Sequence, residues 1–175
     1  ADASTRVGES PARRRRWWLT LACGAALGLA LVVGLAVDSR HSTRGLGLAL
    51  RAQHHDGEPV FMLRGYWYDV PFYARLREPV FDVDDWGDPA IARSDNWRKE
   101  VADAGEFDPA RAGRLLLQPQ ALPAALCRAG VAWVIGTEQS AADLGLPVQA
   151  RALYTARGLT LGRVEAGKEL KPPCA

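Results

Sequence analysis

The sequence DVD at residues 82–84 places two carboxylates two positions apart, a spacing that suits a divalent metal ion. Carboxylate oxygens are the ligands that hard cations such as Mg²⁺ prefer. The surrounding residues, PVFDVD at 79–84, alternate in character and predict a strand. In a strand, Phe81 and Val83 face one side and both acids face the other. This alternation favours a solvated strand end over a metal site, so we predict no metal ligands here.

Other reactive side chains form no recognised arrangement in the sequence. His54 and His55 are adjacent, so their side chains point apart, and the following Asp56 and Gly57 favour a polar turn over a zinc site. The sequence has no glycine-rich phosphate loop, no GxSxG elbow and no Cys/His nucleophile arrangement. We therefore predict no catalytic residues and no cofactor in this segment.

Five aromatic side chains lie in the segment GYWYDVPFYAR at residues 65–75. One interpretation is structural, because aromatic rings commonly fill the space between a sheet and a helix. In that interpretation the core side chains are Tyr66, Phe72 and Tyr73. The other interpretation is functional, because aromatic rings favour membrane interfaces and sugar faces. It predicts an exposed lip near a sugar or lipid headgroup, formed by Tyr66, Trp67, Tyr68 and Asp69.

Cysteine placement allows one disulfide outside the apolar N-terminal run. Cys23 lies within that run, which leaves Cys127 and Cys174 in the rest of the chain. An oxidising compartment would permit these two cysteines to pair and would tie the C-terminal tail to the helix predicted at 122–129. The sequence alone leaves the paired and the free states open.

An uncharged run of 21 residues, WWLTLACGAALGLALVVGLAV at 17–37, precedes all of these candidates. At about 1.5 Å per residue, a helix of this length crosses a hydrocarbon core of about 30 Å. A secretory signal peptide is the alternative, but its apolar region is about 7–15 residues long. The run therefore predicts a transmembrane helix at 17–37, with a polar and basic linker at 1–16 and an outer domain at 38–175.

Four consecutive arginines at 13–16 set the predicted orientation of this helix. Arginine-rich flanks stay in the cytoplasm, so residues 38–175 should lie on the far side of the membrane. Residues 1–37 hold 5 of the 22 basic and 2 of the 20 acidic residues, which leaves 17 basic and 18 acidic residues in 38–175. A nearly neutral outer domain has no field to attract nucleic acid, so we predict no nucleic-acid partner.

Helix and strand patterns alternate along 38–175. Apolar spacing, caps and turn residues predict helices at 42–53, 70–77, 96–104, 122–129 and 140–144. Short apolar or alternating runs predict strands at 59–64, 79–84, 114–117, 131–135, 148–155 and 159–165. This order predicts an α/β sandwich with a mostly parallel sheet and an antiparallel C-terminal hairpin turning at Arg157-Gly158.

The motifs YWYDVPFY at 66–73 and PVFDVD at 79–84 resemble a pattern in bacterial GT-C glycosyltransferases. Their periplasmic C-terminal domain carries a motif of the form Y...LPFYL.RPV.LVD after the last membrane helix. The similarity is to the aminoarabinose transferases that modify lipid A and to the wider dolichyl-phosphate-mannose protein mannosyltransferase-like family. It extends over about 17–165, through Trp97 in an amphipathic helix and the strand VAWVI at 131–135. Ala74 and the residues 82–84 depart from the family pattern.

The resemblance implies a transferase that takes a sugar from a polyprenyl-phosphate donor and passes it to an acceptor outside the cytoplasm. Its catalytic acid would lie in loops of a multi-helix membrane part, so this segment would be a non-catalytic last helix and periplasmic domain. The implied partners are the lipid bilayer, other transmembrane helices of the same enzyme and a polyprenyl-linked sugar donor near the membrane surface. The implied location is the bacterial inner membrane, crossed once by this segment. The alternative is a single-pass envelope protein whose outer domain binds a protein or glycan without catalysis.

Overall fold

The computed structural model describes residues 11–37, 42–146, 152–166 and 174. The chain divides into two compact units, 1–42 and 43–175. Each unit is described by itself below.

The first unit contains one long helix, α1, from Pro11–Val37. The predicted helix at 17–37 is present, and it begins earlier because the four arginines continue it and Pro11 suits a first helical turn. Its stretch Pro11–Ala36 is, within the described residues, the one helix long and apolar enough to cross a membrane, and its apolar side chains are exposed. Of the predicted linker at 1–16, residues 1–10 lie outside the described residues.

The second unit alternates helices and strands in the order that the sequence predicts. Its helices are α2 (Arg44–Gln53), α3 (Asp69–Ala74), α4 (Trp97–Phe107), α5 (Pro109–Leu115), α6 (Leu122–Ala129) and α7 (Glu138–Asp143). Its strands are β1 (Val60–Leu63), β2 (Phe81–Val83), β3 (Leu116–Leu117), β4 (Val131–Thr137), β5 (Ala152–Ala156) and β6 (Leu159–Glu165). Short 3₁₀ turns lie at Ile91–Arg93 and Pro119–Ala121.

The strands form one six-stranded sheet in the order β3-β2-β1-β4-β6-β5. The pairs β1–β2, β1–β4 and β2–β3 are parallel, whereas β4–β6 and β5–β6 are antiparallel. The central strand β4 is apolar along its length because helices cover both faces of the sheet there. The predicted α/β sandwich with a mostly parallel sheet and a C-terminal antiparallel hairpin is confirmed.

Two apolar cores lie on opposite faces of the sheet. One core joins α6 and α7 to the face that carries Phe61, Val83 and Val134. The other joins α2 and α3 to the face that carries Met62, Trp133 and Ile135. The strict alternation of side chains along β1 and β4 assigns neighbouring residues to different cores, so the domain has three layers.

Several predicted boundaries require correction. Helix α4 begins after Asn96, one residue later than predicted, because the side chain of Asn96 accepts from the backbone N–H of Arg98 and makes Asn96 the N-cap. The strand predicted at 114–117 is reduced to Leu116–Leu117, because the preceding residues continue α5. Helix α6 ends at Gly130 as predicted, where φ is +71° and favours glycine. Of the strand predicted at 148–155, residues 148–151 lie outside the described residues.

Phe72 corrects the structural interpretation of the aromatic segment. Val70 and Ala74, four residues apart, form the buried side of α3, so Phe72 lies on the opposite side and is 77% exposed. Its ring meets that of Tyr73 edge to face at 5.3 Å. Phe72 is therefore a surface residue, whereas Tyr66 and Tyr73 are half-buried.

A polar network supports the middle of β4. The Nε1 of Trp133 donates to Glu58 at 2.7 Å, and Arg163 Nη2 pairs with the other Glu58 oxygen at 3.0 Å. Burial alone would raise the pKa of Glu58, but hydrogen bonds from Trp133, Arg163 and the backbone of His55 outweigh it and lower the pKa to about 2. The carboxyl group of Glu58 is therefore ionised in the folded protein at neutral pH.

Cys127 of α6 and Cys174 form a disulfide in the structure, with their Cα atoms 5.5 Å apart. The bond closes a loop with a sequence separation of 47 and holds the end of the chain against α6. Cys23 is the free cysteine among the described residues.

Reduction of this disulfide should lower the free energy of unfolding by about 3–4 kcal/mol, because the open chain regains the entropy of a long loop. The measurement is thermal unfolding of the full chain in detergent micelles with and without reductant. The variant Cys23→Ser keeps the disulfide and serves as the control. An unchanged melting temperature after reduction would show that the bond contributes nothing to stability.

Candidate functional site: an acidic pocket beside β2

The acids of the DVD sequence are buried, which corrects the prediction of a solvated strand end. Asp82 is 1% exposed and Asp84 is 7% exposed. The predicted alternation is present, because Val83 packs into the core on one face while Asp82 pairs in register with Met62, which packs on the other. Residues of α4 and α5 lie beside Asp82 on this face of the sheet.

Asp84 and Asp82 have very different surroundings. Asp84 lies 3.0 Å from Arg98 Nε and also accepts from the backbone N–H of Asp85 at 2.7 Å. Arg98 extends this cluster to Asp88 at 3.2 Å. In contrast, neither carboxylate oxygen of Asp82 has a hydrogen-bond partner among the described residues. An unpartnered buried carboxyl group is costly, so its presence indicates a site that is built for something other than stability.

The electrostatics of Asp82 follow from this placement. Burial raises the pKa of Asp82, the negative charge of Asp84 raises it further, and Arg98 opposes both, with a result of about 8. At neutral pH Asp82 is therefore mostly protonated. A carboxyl group in this state donates one hydrogen bond and gains its charge only when something offsets the cost of burial.

Asp82 lies in the wall of an open pocket of about 550 Å³. The pocket is formed by β2, the segment before α3, and the helices α4 and α5. Its apolar lining includes Val80, Val101, Ala104, Leu115 and Leu116, and its charged lining consists of Glu78, Asp82, Glu100, Asp108 and Arg111. A largely apolar cavity of this size with a few polar groups suits a small ligand.

Two predicted lip residues, Tyr66 and Tyr68, line this pocket. Their rings meet edge to face at 4.7 Å, and the Tyr68 hydroxyl donates to Glu100 at 2.8 Å. Burial raises the pKa of Tyr68 to about 12, helped by the hydrogen bond and charge of Glu100 and by the charge of Asp82. Burial and the charge of Asp82 likewise raise the pKa of Tyr66. Both phenols are therefore neutral, polar groups in a field of negative charge.

Trp67, the third predicted lip residue, lies outside the lining of this pocket. It is half-buried and packs against the core shared by α2 and α3. Its ring lies over Gly65, where an added Cβ would come within 2.8 Å of the indole. Its backbone N–H points to the Met62 sulfur at 3.4 Å. These contacts give Trp67 a packing role.

Asp69, the fourth predicted lip residue, joins two helices. One of its carboxylate oxygens accepts from the backbone N–H of Thr43 at 2.8 Å, and the other accepts from the Thr43 hydroxyl. Thr43 immediately precedes α2, and Asp69 begins α3. The structure thus brings Tyr66 and Tyr68 together with Asp82. Asp69 lies apart from this group and fastens the start of α2 to α3.

The two adjacent histidines have different surroundings. His54 Nε2 lies 2.8 Å from the carbonyl oxygen of Glu58, and His55 is exposed beside the turn at Asp56-Gly57. Within 11–37, 42–146, 152–166 and 174, no group of three or more His, Cys, Asp or Glu side chains is placed to hold a metal ion.

Sequence reasoning missed Asp82, Glu100 and Arg111 as pocket residues. Glu100 and Arg111 are exposed charges on helices and carry no local signal. Asp82 did carry a local signal, since it lies between two apolar residues of a short strand. Because both faces of a parallel sheet are covered, an acid in an interior strand faces a covered surface whichever way it points. The prediction would have required knowing that β2 is an interior strand.

Comparisons with known proteins give matches to solved structures alone: no protein-family model and no curated protein matches the chain. The structure is similar to ArnT from Cupriavidus metallidurans in its apo state, with 10% identity, a TM-score of 0.49 and coverage of 70% of this chain and 20% of ArnT. ArnT from the same organism bound to undecaprenyl phosphate gives 10% identity, a TM-score of 0.47 and coverages of 69% and 19%. The chain thus spans about a fifth of ArnT's length, and a similarity of this size assigns no function.

Proposed function

We propose that this chain is the last membrane helix and the non-catalytic periplasmic domain of a polyprenyl-phosphate-sugar-dependent membrane glycosyltransferase. Such an enzyme of the bacterial inner membrane would transfer a sugar to a lipid or protein acceptor outside the cytoplasm. The observation that carries the proposal is the order of features in one chain: an arginine-flanked apolar helix, an α/β domain, and within it the motif YWYDVPFY at 66–73. The motif supports the family, and α1 supports the attachment to a membrane.

The geometry of the motif supports a division of labour within it. Asp69 and Trp67 hold the domain together through Thr43 and the α2–α3 core. Tyr66 and Tyr68 line the pocket, and Tyr68 is 55% exposed. In this proposal the substrate lip therefore consists mainly of Tyr66 and Tyr68, and the sugar chemistry itself belongs to other membrane helices of the same enzyme.

The orientation is tested by cysteine labelling of intact cells stripped of their outer barrier. In a Cys23→Ser background, Ala142→Cys places a thiol on the exposed side of α7, and Ser4→Cys places one before the arginines. An impermeant thiol reagent should label Ala142→Cys in intact cells and Ser4→Cys only after lysis, because the arginine-rich flank stays in the cytoplasm. The reverse pattern would contradict the proposed topology.

The transferase role is tested in the intact protein in membranes. We expect Tyr66→Ala and Tyr68→Ala to reduce sugar transfer from a polyprenyl-phosphate donor, while Phe72→Ala, an exposed aromatic outside the pocket, leaves transfer unchanged. The measurement is transfer of a labelled sugar, with equal protein amounts checked by immunoblot. Full sugar transfer by both tyrosine variants would show that Tyr66 and Tyr68 have no role in the reaction.

A single-pass envelope protein that binds a protein or glycan without catalysis is the second candidate. The observation that favours it is the pocket, which lies wholly within residues 43–175 and so needs no other membrane helix. The intact gene discriminates the two functions, because a transferase requires a multi-helix membrane part beside this segment. Absence of such helices from the intact gene would leave the binding role.

A further inference from the structure

The pocket beside β2 carries an excess of negative charge. Of the described residues that line it, Glu78, Glu100 and Asp108 are acidic beside Asp82, which is mostly protonated in the empty pocket, and Arg111 is basic. The aromatic side chains of Tyr66 and Tyr68 also line the pocket, and aromatic rings are groups that can attract cations. A ligand that enters the pocket therefore meets a surface that favours positive charge and disfavours anions.

Asp82 is the buried acid of the pocket, and it differs from the other lining acids in its surroundings. Glu100 accepts from the Tyr68 hydroxyl, and Asp108 accepts from the backbone N–H of Arg111 at 3.0 Å. Both oxygens of Asp82, in contrast, lack a partner among the described residues although the side chain is 99% buried. A buried carboxyl group with two unpartnered oxygens and an apolar pocket beside it is suited to a polar group supplied by a ligand.

We propose that the pocket binds a small organic cation, with an ammonium group against Asp82 and an apolar body against Val101, Ala104 and Leu115. This site is independent of the proposed transferase role and would exist equally in a single-pass envelope protein. The pocket's volume of about 550 Å³ suits a ligand of this size.

Binding would couple to the protonation of Asp82. Burial and the neighbouring Asp84 hold the pKa of Asp82 near 8, so the empty pocket carries a protonated carboxyl group at neutral pH. When an ammonium group arrives, the carboxyl proton leaves to solvent and an ion pair with N–H···O bonds forms in its place. Besides Asp84, the charge of Arg98 from α4 acts on Asp82. The other titratable and charged groups of the pocket are Glu78, Glu100 of α4, Asp108, Arg111 of α5 and the neutral phenols of Tyr66 and Tyr68. Cation affinity should therefore rise with pH until Asp82 is ionised.

The test uses the full chain in phosphatidylcholine nanodiscs and compares benzylamine with benzyl alcohol, a neutral molecule of nearly the same shape. Isothermal titration calorimetry, with empty nanodiscs subtracted, should show benzylamine binding at least about tenfold more tightly than benzyl alcohol at pH 8, a difference worth about 1.4 kcal/mol. Between pH 6 and pH 8 the benzylamine affinity should rise about tenfold or more, and buffers of different ionisation enthalpy should reveal the released proton.

Asp82→Asn removes the charge and keeps the shape, so it should abolish both the preference for the amine and the pH dependence. Asp103→Asn, which changes an exposed acid of α4 outside the pocket, is the matched control and should retain both. Should Asp82→Asn fail to fold, the pH titration of the unmodified chain still decides the matter. Equal affinity for amine and alcohol, a flat pH profile, or no saturable binding of either molecule would overturn the proposal.

Discussion

Replacing Trp133 by alanine should lower the free energy of unfolding by about 3–5 kcal/mol, the typical cost of truncating a buried aromatic side chain. Trp133 is fully buried in β4, where it packs among the residues shared by α2 and α3. Its Nε1 also donates to Glu58, whose carboxylate would lose a partner within the fold. Urea unfolding of the full chain in detergent micelles, followed by circular dichroism, measures the change.

Two further variants separate the contributions. Trp133→Phe keeps most of the apolar volume and removes the donor, so it should cost about 1–3 kcal/mol. Phe72→Ala is the matched aromatic truncation on the surface and should shift stability by no more than about 0.5 kcal/mol. If Phe72→Ala destabilised the domain as much as Trp133→Ala, the assignment of exposed and buried faces to α3 and β4 would be wrong.

The sequence predicted the fold correctly where a short run or a single residue determines the local structure. The uncharged run at 17–37 favours a long helix. The short run VAWVI at 131–135 is apolar throughout, which is typical of a buried strand of a parallel sheet. Gly130 ends α6 because its positive φ suits glycine, and Arg157-Gly158 turns the final hairpin. These local choices agree with one another, so the α/β class and the antiparallel C-terminal pair followed from them.

The errors arose where burial depends on partners far away in the chain. The alternation of Phe81, Asp82 and Val83 was predicted correctly, but which face is covered depends on α3, α4 and α5, which no local pattern reveals. Phe72 shows the converse error, because a large aromatic residue was assigned to the core by type. The i, i+4 pair Val70 and Ala74 determines the buried side of α3 and directs Phe72 to the surface.

The stability of the domain should fall as pH rises from about 4 to about 8, because of Asp82. In the folded protein the pKa of Asp82 is about 8, far above the ordinary value of 3.8 that an aspartate has in an unfolded chain. Between these two values the folded state binds one more proton than the unfolded state, so raising the pH favours unfolding. One proton corresponds to about 1.4 kcal/mol per pH unit, so over this window the effect is on the order of several kcal/mol.

Asp82→Asn should flatten this dependence and raise stability at pH 8, because a side chain that does not ionise removes the cost of a buried charge. The measurement is the urea midpoint of the full chain in micelles at intervals from pH 4.5 to pH 8.5, with Asp103→Asn as a surface control that keeps the slope. Glu58 contributes in the opposite direction, since its pKa is lowered to about 2, but that contribution is complete above pH 5 and does not affect this window. A flat profile for the unmodified chain would mean that Asp82 is as well solvated in the folded state as in the unfolded one. That result would contradict the 1% exposure and the unpartnered oxygens from which this prediction is made. A slope that persists in Asp82→Asn would assign the titration to another group of the pocket.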